Sequence, residues 1–171
     1  MVVAVIYFSR YGKNIQAGRC QYINVGNTAM VAKKIEIILD VKGTEIVPIN
    51  QYPDDYFETK VRAQQEFLNN ERVKIKPVNF DETEHSIVLG FPNWWGTMPQ
   101  AVKSFLMKYD LAGKNIYPFV THEGSQFGQS LDDLKKLAPR SQVMSGLPIR
   151  GTRAYKSENA VINWLGNLDL K

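Results

Sequence analysis

Three short stretches of this 171-residue chain hold side chains whose types and spacing could do chemistry. The first is Ser9, followed at a distance by Val25-Gly26-Asn27-Thr28 where a helical pattern starts. A glycine and two small polar residues at a helix start offer free backbone N–H groups, side-chain donors and the positive end of the dipole, which together hold a phosphate. The same tripeptide alone also suits an ordinary helix cap. The second stretch is Phe91-Pro92-Asn93-Trp94-Trp95-Gly96-Thr97-Met98-Pro99. Adjacent residues do not both point the same way, so the pair reads either as a surface for something flat, a contact worth about 0.5–1.5 kcal/mol beyond burial, or as two interior-packing tryptophans at a strand end. Gly96 lets the backbone approach a ring edge or turn its peptide. The third stretch, Thr121-His122-Glu123-Gly124-Ser125-Gln126-Phe127-Gly128, is small and polar and can give N–H and hydroxyl donors to a heteroaromatic edge. Within it His122 reads either as a hydrogen-bonded structural residue or as a partner of Glu123. Together the stretches ask for a ligand with a phosphate at one end and a broad planar ring at the other.

The elements that must position them alternate between short apolar runs and stretches of helical period, the pattern of a sheet wound with crossover helices. Val2 to Phe8 carries no charge and reads as a central strand covered on both faces. Val31, Ile35, Ile38 and Leu39 place a helix over Thr28 to Leu39, and Thr44 to Asn50 reads as a second strand that Pro48 confines to an edge. A polar surface helix is expected over Asp54 to Asn69. His85 to Phe91 is the third strand; Thr97 and Pro99 cap a helix that faces inward with Val102, Phe105, Leu106 and Tyr109 and closes at Gly113. Asn115 to His122 is the fourth strand, and Ser130 with Asp133 forms a capping box for a helix stopped by Pro139. A fifth strand falls within Gln142 to Gly151. Ser157 then caps a last helix with Val161, Trp164, Leu165 and Leu168 on one side. These elements predict one α/β domain over residues 1–171, a three-layer sandwich around a five-stranded parallel sheet. Right-handed crossovers put its ligand beyond the carboxyl ends of the strands, where the three stretches lie.

Composition narrows the chemistry. With 44% hydrophobic residues, three Trp, eight Tyr and eight Phe, the chain is no disordered tail, and no apolar run approaches a membrane span. Cys20, His85 and His122 are the whole stock of Cys and His, so no metal site is expected. One cysteine and no leader read as cytoplasmic. A net charge of +4, spread along the chain, does not argue for nucleic acid. Gly12 and Gly18 have five residues between them and Arg19-Cys20 after them, which is not a triphosphatase loop, and no G-x-G-x-x-G is present.

In these residues the chain resembles the flavodoxin family, in the branch with Phe-Pro-Asn-Trp-Trp-Gly-Thr-Met-Pro and, further on, Thr-His-Glu-Gly-Ser. The resemblance runs from Val2 to about Leu168 and rests on the order of Ser9, Gly26-Asn27-Thr28, the tryptophan loop and the 121–128 loop. It implies a sheet of order 2-1-3-4-5 and one non-covalent FMN. Ser9, Gly26, Asn27 and Thr28 would bind the phosphate with N–H groups near Val25. Pro92, Asn93, Trp94, Trp95, Gly96 and Thr97 would wrap the isoalloxazine, with Trp94 or Trp95 stacking and the Gly96 peptide near the ring edge that takes up a proton. Thr121, His122, Glu123, Gly124 and Gly128 would line the opposite edge. No 20-residue stretch splits the fifth strand, as in short-chain members.

Two features depart from the family pattern. Sixteen residues, Arg10 to Val25, separate Ser9 from Gly26, and the insertion holds Arg10, Lys13 and Arg19 without an acid; it is expected to fold over the phosphate or ribityl end. The chain is also basic where flavodoxins are usually acidic. The resemblance implies a low-potential electron carrier, a monomer working between a reductase and an acceptor protein. The Trp-Trp segment is also similar to that of some quinone reductases, so an FMN-dependent NAD(P)H:quinone-type oxidoreductase is the alternative. Cys20, with no resolving partner, reads as a bystander.

Overall fold

The computed structural model describes residues 3–168 and Leu170; Val2, the expected start of the first strand, lies outside them. Strand β1 (Val3–Tyr7) is flanked by β4 (Thr44–Glu45) and β5 (Ser86–Pro92). Next to β5 runs β6 (Asn115–His122), and β7 (Gln142–Val143) and β8 (Leu147–Arg150) both pair with β6. All these pairings are parallel. Counting the parallel ranks alone, the order is 2-1-3-4-5, as expected, with the fifth rank in two pieces. Val3 and Val5 of β1 face one core, while Ala4, Ile6 and Phe8 face the other. Both faces of the sheet are therefore dry, which is why its central strands are apolar throughout.

Helices α1 (Asn27–Leu39) and α5 (Glu158–Gly166) cover the face of Val3 and Val5 through Val31, Ile35, Val161 and Trp164. Helices α3 (Gln100–Lys108) and α4 (Ser130–Leu137) cover the other through Val102, Phe105 and Leu134, and α2 (Tyr56–Leu68) leans on α3, where Gln100 Nε2 donates to the Glu66 carbonyl at 3.0 Å. Since α1 leaves β1 toward one face and α3 leaves β5 toward the other, the crevice between the two strand ends is the topological switch point.

Several local expectations are corrected. The second strand ends at Glu45 rather than Asn50. Ile46 N–H still donates to the Tyr7 carbonyl, but beyond it Pro48 forms an antiparallel bridge with Ile75, so the chain peels off the sheet onto the 74–76 segment. The fifth rank breaks between Val143 and Leu147, opposite Tyr117 and Pro118. Lys114 and Ile116 accept from Gln142 and Met144, so alternation turns position 118 toward the same neighbour, and proline has no N–H to give it. Thr97 caps no helix; its hydroxyl donates to Asp133 Oδ2 at 2.6 Å, and Pro99 holds the N-cap position of α3. That helix ends at Lys108, and Gly113 instead makes a left-handed turn before β6. Ser130 is the first residue of α4, not its cap, and Asp133 is taken by Thr97 and Lys103. Ser157 does hold the N-cap position of α5, but its hydroxyl donates to the Ala154 carbonyl. The expected helix over 54–69 is Tyr56–Leu68, with the Asp55 carboxylate accepting from the Phe57 and Glu58 amides.

Within the insertion, β2 (Gly12–Gln16) and β3 (Arg19–Ile23) form an antiparallel hairpin apart from the main sheet. Arg10 fastens its base: the guanidinium donates to the carbonyls of Pro53, Asp54, Asp55 and Lys13, and Lys13 pairs with Asp55 at 3.3 Å.

Candidate functional site

The site begins where β1 ends. Ser9 Oγ accepts the Ala29 N–H at 3.0 Å, so a side chain outside α1 caps the helix from across the turn. Gly26 holds the N-cap position in extended conformation without a side-chain cap, and a Cβ there would meet Ser9 Oγ and the Arg10 carbonyl. Met30 N–H returns to the Gly26 carbonyl. Among the described residues, the Asn27 and Thr28 amides have no protein acceptor, and the first turn carries no acid. That leaves a positive helix end with two donors on offer. The Thr28 hydroxyl is buried and bonded to the Thr121 hydroxyl at 2.7 Å, which ties α1 to the end of β6, and Val25 is exposed beside it.

After β5 the chain makes a two-residue turn. Trp94 and Thr97 exchange both backbone hydrogen bonds, at 2.8 and 3.1 Å, and the central residues Trp95 and Gly96 have φ of 53° and 81°. Positive φ at both centres matches a type I′ turn, for which Gly96 is suited and Trp95 is not, at a cost of about 1–2 kcal/mol. The turn sends the indoles apart. Trp94 lies edge-on to Phe8 (5.3 Å) and Tyr52 (5.0 Å), packed on the core. Trp95 faces outward at 38% exposure, its N–H donating to the Lys60 carbonyl. Behind Trp94, Tyr52 donates to the buried Glu66 carboxylate at 2.5 Å, and Arg62 binds the same carboxylate at 2.8 Å while covering the Tyr52 ring. Burial and that hydrogen bond hold the Tyr52 phenol protonated far above its ordinary range.

The loop after β6 is stitched to its neighbours. Asn93 N–H donates to the Thr121 carbonyl, and Asn93 Nδ2 to the Gln126 carbonyl. His122 does not pair with Glu123. Its Nδ1 accepts the Gly124 N–H at 3.0 Å, and burial, with Arg150 nearby, lowers its pKa. Glu123 instead accepts the Thr152 N–H at 3.0 Å, and its pKa is raised by burial.

These parts surround a cleft of about 430 Å³ lined by Asn27, Asn93, Trp94, Thr121, His122, Glu123 and Gly124, with Asn14, Ile15, Tyr56, Ser125 and Gly151 completing the wall. A smaller chamber of about 230 Å³ adjoins it, sharing Asn14, Tyr56, Asn93 and Trp94 and adding Trp95, Lys60 and Ala63. Ser9, Val25, Gly26 and Thr28 stand around the α1 start, and Pro92 ends β5 outside the lining. Gly96, Thr97 and Gly128 lie behind the wall: Gly96 O accepts the Gln129 N–H, Gly128 packs on the Gly96 carbonyl, and Thr97 holds Asp133. Asn14, Ile15, Tyr56 and Gly151 have no signal of their own in the sequence, because the hairpin, α2 and the 3₁₀ turn after β8 bring them in. The insertion does fold toward this end of the molecule and forms one side of the cleft. Among the described residues no group of three His, Cys, Asp or Glu could hold a metal, and no helix is long and apolar enough to cross a membrane.

Known proteins bear on this geometry. The chain has no match among curated proteins. Among solved structures it is similar to a candidate flavoprotein from Bacteroides eggerthii, with 26% identity over 99% of each chain and a TM-score of 0.77. It shares its fold with a flavoprotein from Lactobacillus acidophilus solved in complex with FMN, at 19% identity over 91% of this chain and 97% of that one, TM-score 0.66. It also shares its fold with oxidised flavodoxin 2 from Bacillus cereus, at 19% identity over 98% and 100%, TM-score 0.54. The flavodoxin family model matches residues 20–168, which take in every strand of the main sheet except β1 and all three site loops except Ser9, and the chain belongs to the flavodoxin family.

Proposed function

We propose that the chain binds one FMN in this cleft and works as a low-potential electron-transfer protein, a cytoplasmic monomer passing electrons between a reductase and an acceptor protein. The observation that carries the reading is one hollow at the switch point of the sheet, with a helix start and two amides that have no protein acceptor among the described residues at one end and Trp94 at the other. The donor set suits a phosphate monoester, since the first turn of α1 offers N–H groups and the Asn27 amide with no carboxylate to repel the anion. Asn27 and the α1 amides would hold the phosphate, and Ser9 and Thr28 fix the helix end that presents them. Trp94 and the Thr121–Gly124 backbone would flank the ring. When bound, FMN supplies one- and two-electron redox chemistry.

The chain's share is to bind, orient and exclude water. Trp94 is held in one orientation by Phe8 and Tyr52, so it offers a fixed aromatic surface. A second reading, an FMN-dependent NAD(P)H:quinone-type reductase, is favoured by the chamber beyond Trp94, whose walls of Tyr56, Ala63 and Trp95 suit a small aromatic acceptor. Stepwise anaerobic reduction of the FMN-loaded chain, followed by visible absorbance, tests the choice. Two resolved one-electron stages are expected of a carrier. A single two-electron conversion, with NADPH consumed in the presence of a quinone, would favour the reductase.

A further inference from the structure

Beside the third loop lies a groove of about 830 Å³ walled by His122, Gln126, Arg150, Arg153, Tyr155 and Lys156. It borders the cleft, since His122 lines both. Arg150, Arg153 and Lys156 fall within seven residues, all are exposed, and among the described residues none of them forms an ion pair. The carboxylate that faces Arg150 is Glu123, whose oxygen is engaged by the Thr152 N–H. Lys34 is held separately, donating to the Ala154 and Tyr155 carbonyls at 2.9 Å each.

A solvated positive face would leave these side chains on a convex, loosely held loop. Here the segment is concave and fastened. Arg150 ends β8 in register with His122, Ala154 is fully buried, and Lys34 clamps the short 3₁₀ turn Gly151–Lys156 from α1. The Tyr155 ring is 62% exposed, with Lys156 Nζ 5.1 Å from its centroid. Guanidinium forks match the paired oxygens of phosphates, and an exposed phenol with a cation over one face keeps the opposite face as a platform for a flat base. A hollow of this volume suits a small ligand better than the flat surface of an acidic protein.

We propose that this groove binds a pyrophosphate-bearing nucleotide, with Arg150, Arg153 and Lys156 on the phosphates and Tyr155 under the base. The proposal concerns the groove alone and stands whether or not the cleft takes FMN. Calorimetric titration of the full chain, flavin-free and FMN-saturated, with ADP, NADP+, inorganic pyrophosphate and a poly-glutamate peptide tests it. ADP and NADP+ are expected to bind both forms, more weakly as salt is added, and pyrophosphate, lacking a base, to bind roughly tenfold more weakly. Arg153→Gln combined with Lys156→Gln should weaken ADP by about tenfold or more, and Tyr155→Ala by several-fold, while Arg140→Gln, which lies in a separate pair with Asp110, changes nothing. Unchanged FMN uptake by the double variant shows that it is folded. The proposal is overturned by absence of ADP binding at about 1 mM, or by equal binding to the double variant. It is equally overturned by equal affinity for pyrophosphate, by loss of ADP binding once FMN fills the cleft, or by binding of poly-glutamate alone.

Discussion

At Gly26 the fold leaves no room for a methyl group, because Ser9 Oγ and the Arg10 carbonyl occupy the space a Cβ would take. Since the carbonyl is backbone, it cannot swing aside, and Gly26→Ala is expected to cost about 1–3 kcal/mol in urea unfolding and to weaken FMN uptake. Retention of both would show that the α1 start is not held as described. His122 offers a pH test. Burial and Arg150 lower its pKa, so folding disfavours the charged ring; its contribution is intact above the ordinary value of 6.5 and is lost as pH falls through that value toward the depressed one. Protonation there would also remove the acceptor for the Gly124 N–H. NMR of the ring protons is expected to place the midpoint below 6.5, moving up in Arg150→Gln; a midpoint at or above it in the native chain contradicts the assignment. Trp95, held at positive φ, stores strain beside the cleft, where such strain is tolerated because the surrounding hydrogen bonds fix the turn.

At the scale of elements, the hairpin is the part of the cleft wall that depends on few bonds: Lys13 N–H donates to the Asp54 carbonyl, Lys13 Nζ pairs with Asp55, and the Arg10 guanidinium bridges the Lys13 carbonyl to those of Pro53, Asp54 and Asp55. Arg10→Ala should cost about 1.5–3 kcal/mol, the range for hydrogen bonds to a charged donor, and speed hydrogen exchange at Gly12–Ile23 while leaving β1, β5 and β6 protected. Equal protection of the hairpin would mean that another contact anchors it. The same hairpin shows what the sequence could not reveal. Strands β1, β5 and β6 are legible because both their faces are covered, which makes each an uncharged run. The hairpin covers almost nothing, its outer strand from Arg19 to Tyr22 is exposed, and no apolar alternation marks it. The split fifth rank follows from Pro118 in the neighbouring strand, a pairing that only the assembled sheet reveals. Thr97 and Ser130 look like caps locally, yet tertiary contacts redirect the one and bury the other. The three ligand loops were readable because each is a contiguous run of unusual composition. Asn14, Tyr56 and Gly151 reach the cleft only through packing.

The whole molecule carries a net charge of +4, where flavodoxins are usually acidic. One positive charge about 10 Å from a reduced, anionic flavin favours it by roughly 1.7 kcal/mol at an effective dielectric near 20, or about 70 mV for one electron. The structure trims this effect near the hairpin, since Lys13 is paired with Asp55 and Arg10 lies beside Asp54 and Asp55. Among the described residues Arg150 forms no ion pair at the rim of the third loop. The second reduction potential of the FMN-loaded chain is therefore expected to be less negative than that of an acidic flavodoxin, as read by redox titration; a value as low as theirs contradicts the electrostatic argument. The proposed function and the expected potential rest on the cleft accepting FMN, and fluorescence titration of the flavin-free chain with FMN tests that most directly. The account predicts quenching that saturates at one equivalent and is weakened by Asn27→Ala or Gly26→Ala. Flavin fluorescence unaltered by the protein, or quenching indifferent to both substitutions, would contradict it.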